Sequence, residues 1–175
     1  MKRALPTHLH VRPGKPNDAG ALATVFAQTW SATYQGILND VGIRRLLVTR
    51  RATYWHRFLS HSDGLLVALN GDEIVGYVTF GPARTQPDGW DPGPAGEIYE
   101  LYVAPLHQGS GHGGRLFAAA RAELAKDGRH RLLVWALSEN TIAEDFYLGR
   151  GGNIVATGKQ RSGNRMCPTT AFIFT

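Results

Sequence analysis

Cysteine is nearly absent. The lone Cys167 excludes an internal disulfide and fits a reducing compartment, so a cytoplasmic location is expected. Long hydrophobic runs are missing as well. Stretches such as Leu65–Leu69 fall far short of the roughly 20 apolar residues that cross a bilayer, so no membrane span is expected. After Met1-Lys2-Arg3, Pro6 and His8 stand where a signal peptide would carry its apolar core. Charge is sparse at 19%, and acidic residues are the scarcer sign, 14 against 19 basic, for a net charge of +5. That surplus favours an anionic partner: nucleic acid, a membrane surface or a phosphorylated small molecule. A hydrophobic share of 43% excludes a disordered or fibrous chain. The 175 residues are expected to form one domain, 1–175, long enough to bury a sizeable core. Glycine is what the chain has in excess, 21 residues, so backbone must somewhere turn tightly or approach a ligand.

His8–Arg12 predicts a short strand stopped by Pro13-Gly14. Asn17-Asp18 supplies a helix start, and Leu22, Val25, Phe26 and Thr29-Trp30 recur at helical spacing until Gly36. A second helical stretch is expected from about Asp40 into Arg51–Leu59. Asn70-Gly71 between two apolar, β-rich runs signals a hairpin. Residues 81–96 hold four glycines and four prolines, which predicts a long irregular loop, either a lid over a ligand or a plain surface connection. Glu97–Val103 and Arg131–Leu137 read as strands, with a helix marked by Leu116, Phe117, Ala120 and Leu124 between them. Asn140 starts a short helix to Leu148, and Ile154–Ala156 and Ala171–Phe174 read as two last strands joined by a basic loop. A strand–helix–strand crossover with hairpins on both sides implies an α/β fold with a mixed sheet.

Between strand and helix lies Gln108-Gly109-Ser110-Gly111-His112-Gly113-Gly114. Amides without neighbouring Cβ atoms can converge on phosphate oxygens at a helix N-terminus. A P-loop would need Gly-Lys-Ser/Thr, and here the helix opens Gly114-Arg115-Leu116. Gly109-x-Gly111-x-x-Gly114 matches a dinucleotide fingerprint literally, but five residues separate it from Val103 and too little chain follows for a dinucleotide domain.

The segment from Glu97 to Gly113, with Leu101-Tyr102-Val103-Ala104-Pro105 and then Gln108-Gly109-Ser110-Gly111, resembles motif A of the GNAT superfamily of N-acetyltransferases. Asn140-x-x-Ala143-x-x-Phe146-Tyr147-x-x-x-Gly151 resembles its motif B. Gln108 replaces a commoner arginine, and Gly152 stands where many members carry phenylalanine, which implies looser packing behind that helix. The resemblance implies a mostly antiparallel sheet with one splayed parallel pair, helices on both faces, and acetyl-CoA as cosubstrate without a metal. It places pantetheine against Leu101, Tyr102 and Val103, the pyrophosphate on Gly109, Ser110, Gly111, His112, Gly113 and Gly114 beside Gln108, and the cofactor arm near Asn140 and Phe146. It also implies a catalytic glutamate, Glu97 first and Glu100 as the second candidate, taking the acceptor proton through water, and Tyr147 giving the departing thiolate a proton or a hydrogen bond. A strand bulge could exchange the two glutamates. Plainer readings compete: solvated strand residues for the glutamates, a buried aromatic for Tyr147, an N-cap for Asn140.

Trp30-x-x-x-Tyr34-x-Gly36-x-Leu38 resembles the acceptor-side helix of the same superfamily, so Trp30 and Tyr34 are expected on one face of an amine pocket. The expected partners are acetyl-CoA and a primary amine, a small molecule or a peptide N-terminus, acetylated by direct attack. A non-catalytic acyl-CoA-binding module of the same fold stays open, and a homodimer is compatible with the sequence. Seven histidines, His8-x-His10 among them, show no zinc-type spacing, so no metal is expected. Arg44-Arg45, Arg50-Arg51 and the Lys159, Arg161, Arg165 group read as solvated surface rather than a nucleic-acid face.

Overall fold

A computed structural model of the chain describes residues 9–35, 39–62, 64–88, 90, 93–162 and 165–175. A seven-stranded sheet organises them, in the order β1 (Leu9–Pro13), β2 (Leu65–Asn70), β3 (Glu73–Pro82), β4 (Ala95–Val103), β5 (Arg131–Leu137), β7 (Arg165–Phe174) and β6 (Asn153–Ser162). Every neighbouring pair is antiparallel except β4–β5. The mixed sheet expected from the sequence is therefore what the chain forms.

Helix α4 (His112–Lys126) covers one face. Its Leu116, Phe117, Ala120 and Leu124 pack on Val78, Phe80, Ile98 and Val134, joined by Tyr147 of α5 (Thr141–Leu148) and by Phe172 and Phe174. Helices α1 (Ala19–Thr33), α2 (Asp40–Thr49) and α3 (Ala52–Leu59) cover the other face, around Phe26, Trp30, Trp55 and Tyr77. The apolar face of α4 falls where the 3–4 residue spacing put it. Asn140 caps α5, its side-chain oxygen accepting from the Ala143 N–H at 3.1 Å.

Several local expectations are corrected. Helix α1 begins directly after Asn17-Asp18 with Asp18 as its N-cap, but the Asp18 side chain makes no cap hydrogen bond to α1; it forms a two-pronged ion pair with Arg12 at 2.7 and 3.0 Å and accepts the Lys15 N–H. The helical stretch after Asp40 breaks into α2 and α3 at Arg50 and Arg51. The β3 and β4 strands invade the Pro/Gly-rich segment from both ends, leaving 83–94 between them. The basic loop near the C-terminus is instead the β6–β7 ladder, where Lys159 opposes Pro168 and Arg161 opposes Met166. Gly152 leaves no looseness: a Cβ there would meet the Phe174 ring at 2.8 Å, so that aromatic already fills the space. The signals at His8, Gly36 and Leu38 lie outside the described residues.

Two irregularities position the site. First, β4 and β5 pair only over Ala95–Ile98 against Arg131–Val134. Beyond Ile98, β4 stays with β3 and β5 stays with β7, so the parallel pair splays. Second, Thr79 opposes Glu100 while Phe80 opposes Ile98, which leaves Tyr99 as an extra residue, a β-bulge.

Candidate active site

A cavity of about 380 Å³ occupies the splay between β4 and β5. That is within the usual range for a small-molecule site. At one end its wall is the glycine segment: Gln108, Gly109, Gly111, Gly113 and Gly114 line it. Gly109 and Gly111 have φ of +74° and +88°, a left-handed backbone that side-chain-bearing residues rarely adopt, and Gly111 is the N-cap of α4. A Cβ on Gly113 would come within 3.1 Å of the Phe146 ring. The glycines thus set the turn and keep the backbone accessible where the positive end of α4 meets the cavity. Ser110 and His112 are not in the lining; His112 is buried, its ring 6.1 Å from that of His107.

Leu101, Tyr102 and Val103 line the middle of the cavity along the unpaired edge of β4. The Val103 carbonyl already accepts the Gln108 amide at 3.0 Å and the Thr29 hydroxyl at 3.5 Å. Gln108 therefore ties the glycine segment to the strand before it. Facing β4 across the gap, Asn140, Phe146 and Tyr147 line the α5 wall. Tyr147 is buried among Phe117, Phe172 and Phe174, and burial lifts its phenol well above the ordinary range, with the Tyr34 phenol adding and Arg150 opposing. The phenol accordingly keeps its proton.

The bulge decides which β4 side chains stand at the other end of the cavity. Ile98 and Leu101 belong to the α4 side, whereas Glu97, Tyr99, Glu100 and Tyr102 all project toward the α1–α3 side. Glu100 lines the cavity. Its carboxylate accepts from the Arg50 guanidinium at 2.8 Å and from the Tyr77 hydroxyl at 3.1 Å. Burial raises its pKa; Arg50, Tyr77 and Arg84 pull it down without cancelling the rise. Arg50 lies 4.3 Å over the Tyr54 ring, so it belongs to the site and not to the solvated patch read from the sequence. Glu97 is outside the cavity lining. Its carboxylate accepts the backbone N–H of Arg84 at 2.7 Å, and burial raises its pKa.

Trp30 and Tyr34 stack with ring centroids 4.1 Å apart, as their spacing predicts. Tyr34 lines the cavity, and burial raises the pKa of its phenol, with Asn140 and Tyr102 opposing. Trp30 lies behind it in the core.

Arg150, Trp135 and Tyr99 are among the lining residues that the sequence did not single out. Arg150 stacks 3.5 Å over Phe146 and reaches to 2.7 Å from where a Gly114 Cβ would sit. Trp135, on the acceptor side of β5, donates its indole N–H to the Thr85 hydroxyl at 2.9 Å. Tyr99 is the bulged residue itself. For Trp135 and Tyr99 the only signal was an aromatic in a strand, which core packing explains equally well. Among the described residues no three His, Cys, Asp or Glu side chains gather as a metal site, and no helix is long and apolar enough to cross a membrane.

A family model for the acetyltransferase (GNAT) family matches residues 28–151. The chain is 29% identical over 132 residues to the uncharacterized N-acetyltransferase YuaI of Bacillus subtilis, covering 74% of this chain and 72% of that protein. Its fold resembles that of the PaiA N-acetyltransferase of Thermoplasma acidophilum in complex with coenzyme A, with a TM-score of 0.74 and 16% identity over 93% of this chain and 97% of that one. YncA of Salmonella typhimurium, a putative acetyltransferase with its cofactor acetyl-CoA, gives a TM-score of 0.66 and 24% identity over 95% and 93% of the two chains.

Proposed function

This chain is an acyltransferase of the acetyltransferase (GNAT) family, and on that premise we propose that it moves an acetyl group from acetyl-CoA to a primary amine by direct attack. The observation that carries the reading is the splay. It exposes one edge of β4 between a glycine cradle at a helix N-terminus and a carboxylate on the bulged side of the same strand. The residues present suit acetyl-CoA. Amides of Gly109–Gly114 offer a pyrophosphate cradle that a Cβ at Gly113 or Gly114 would crowd, and Arg150 adds positive charge beside it. The open edge at Leu101 and Val103 suits the strand-like arm of pantetheine.

Acetyl-CoA supplies an activated thioester; the chain supplies geometry and proton handling. A backbone N–H of the splayed β4 edge faces the thioester oxygen and stabilises charge that develops there. Glu100 takes the acceptor proton, directly or through one water, and its raised pKa suits a base operating near neutrality. Arg50 and Tyr77 fix the carboxylate, acting through Glu100 as positioning residues. Tyr147 donates its hydroxyl hydrogen to the departing thiolate as a hydrogen bond or a proton; burial keeps the phenol protonated and available for this, although it weakens it as an acid. Glu97 serves the loop that follows β3, so Glu100 is preferred over it as the base. The cytoplasmic single-domain enzyme expected from the sequence is part of the same reading.

Thiol release from acetyl-CoA, measured across a panel of primary amines with product mass as the second readout, tests it. An acetylated amine with stoichiometric thiol supports the proposal. Tight CoA binding with no thiol release from any amine would turn the reading to a non-catalytic acyl-CoA module.

A further inference from the structure

The segment after β3 begins as a built structure. Tyr99 donates its hydroxyl to the Pro82 carbonyl at 2.6 Å, Ala83 N–H bonds Ala95 O at 3.0 Å, and Arg84 N–H bonds the buried Glu97 carboxylate at 2.7 Å. Trp135 holds Thr85 from across the splay at 2.9 Å. Four contacts from two strands, β4 and β5, therefore fix residues 82–85 beside Tyr99 and Trp135, which line the cavity. Their joint effect is to present one side chain. The Arg84 guanidinium lies flat over the Tyr99 ring, 3.1 Å from its centroid, and Arg84 itself is exposed.

Among the described residues no carboxylate comes within 4.0 Å of that guanidinium. Arg50, by contrast, is committed to Glu100 at 2.8 Å. Stacking on an aromatic orients the guanidinium fork and leaves its N–H groups to bind a planar anion. Tyr99 and Glu100 are consecutive and, because of the bulge, project to the same face. Successive residues on one face put a fixed cation and the proposed base a short spacer apart.

We propose that the acceptor is an amine bearing a carboxylate, whose anion is held by Arg84 while its amine meets Glu100. This rests on the acetyl-transfer reading above and names the substrate class of that site. Both charges of a zwitterionic acceptor then have a partner: Arg84 takes the carboxylate in a two-pronged pair, and Glu100 faces the nitrogen. Polycationic amines meet Arg50 against Glu100 and Arg84 against Tyr99, and are disfavoured. An uncharged-tail amine leaves Arg84 in water and loses that contact.

The test uses the full chain with acetyl-CoA and three sets of acceptors: α-, β- and γ-amino acids, including glycine, phenylalanine, β-alanine and γ-aminobutyrate, their methyl esters, and the alkylamines lacking the carboxylate. In at least one set the carboxylated acceptor should exceed both relatives by about tenfold or more in kcat/KM, a typical gain for one charge-assisted pair. Arg84→Met should erase that ratio through KM, bringing the carboxylated acceptor down to the level of its ester and alkylamine. Arg84→Lys should restore part of it, since the charge returns without the planar fork. Esters or alkylamines used as well as the carboxylated acceptors in every set would overturn the proposal while leaving acetyl transfer intact. So would a ratio unchanged in Arg84→Met. Absence of thiol release with every amine, polyamines included, would overturn acetyl transfer itself and this inference with it.

Discussion

The two ends of the cavity are made from different materials. At the glycine end the binding groups are main-chain amides of one contiguous segment, residues 108–114, fixed by two left-handed glycines and by the start of α4. At the acceptor end they are side chains brought from far apart: Arg50 from the end of α2, Glu100 and Tyr99 from β4, Arg84 from the segment after β3, and Trp135 from β5. An amide cradle tolerates side-chain substitution around it but not a change of backbone conformation. A side-chain cluster behaves the opposite way, since each member can be trimmed alone with the fold left standing. Mutations should therefore separate the two ends cleanly.

The largest effect expected is at Glu100. Glu100→Gln should lower kcat/KM by about 10²–10⁴-fold, the usual contribution of a general base, and most severely between the Glu100 pKa and that of the amine, where the base is ionised and free amine is still scarce. Glu97→Gln should cost far less, because its carboxylate ties the backbone of Arg84 and is outside the cavity lining. A pH–rate profile for each variant checks this; a crippled Glu97→Gln beside a near-normal Glu100→Gln would reverse the assignment.

Tyr147→Phe should come next, lowering kcat by roughly 10²-fold, at the low end of acid catalysis, with a smaller change in KM for acetyl-CoA. The packing among Phe117, Phe172 and Phe174 is kept, since only the hydroxyl goes. Wild-type turnover would return Tyr147 to a purely packing role.

At the other end, Gly111→Val should weaken CoA binding about tenfold or more by calorimetry. The left-handed conformation at φ +88° costs a branched residue about 1–3 kcal/mol, and relieving it moves the amides. Gly71→Val is the control. Its φ is +62°, but it lies in the β2–β3 hairpin turn away from the cavity, so it should cost stability and spare CoA affinity. Equal loss of CoA binding in both would sever the glycine end from the cofactor.

The smallest effect, and the sharpest on the acceptor end, is a shift in pH dependence. Arg50 stabilises ionised Glu100, so Arg50→Met should raise the Glu100 pKa further. The base must be ionised to act, so the acidic limb of kcat/KM should move to higher pH while activity on the alkaline plateau is largely kept. An unmoved limb would mean that Arg50 only braces the helices.

How far the sequence carries this protein follows from the range of the forces that build each part. Periodicity and turn chemistry act within a few residues, and they are enough for α4, the Asn70-Gly71 hairpin and the Asn140 cap. The glycine turn at Gly109–Gly114 was legible for the same reason, being one segment whose residue types fix its own backbone. Other local signals were overridden. The break at Arg50-Arg51, the pairing of Asp18 with Arg12 and the long β6–β7 ladder arise from partners distant in sequence, and no short window contains them. Which glutamate meets the cavity was undecidable on the same ground. Alternation along a strand assigns faces only until one extra residue intervenes, and the bulge at Tyr99 is set by the register of β4 on β3. The sequence by itself determined the family, the sheet class and the glycine turn at the start of α4. The tertiary structure decided the acceptor end, because a charge constellation drawn from β3, β4, β5 and α2 exists only once strand register and helix packing bring it together.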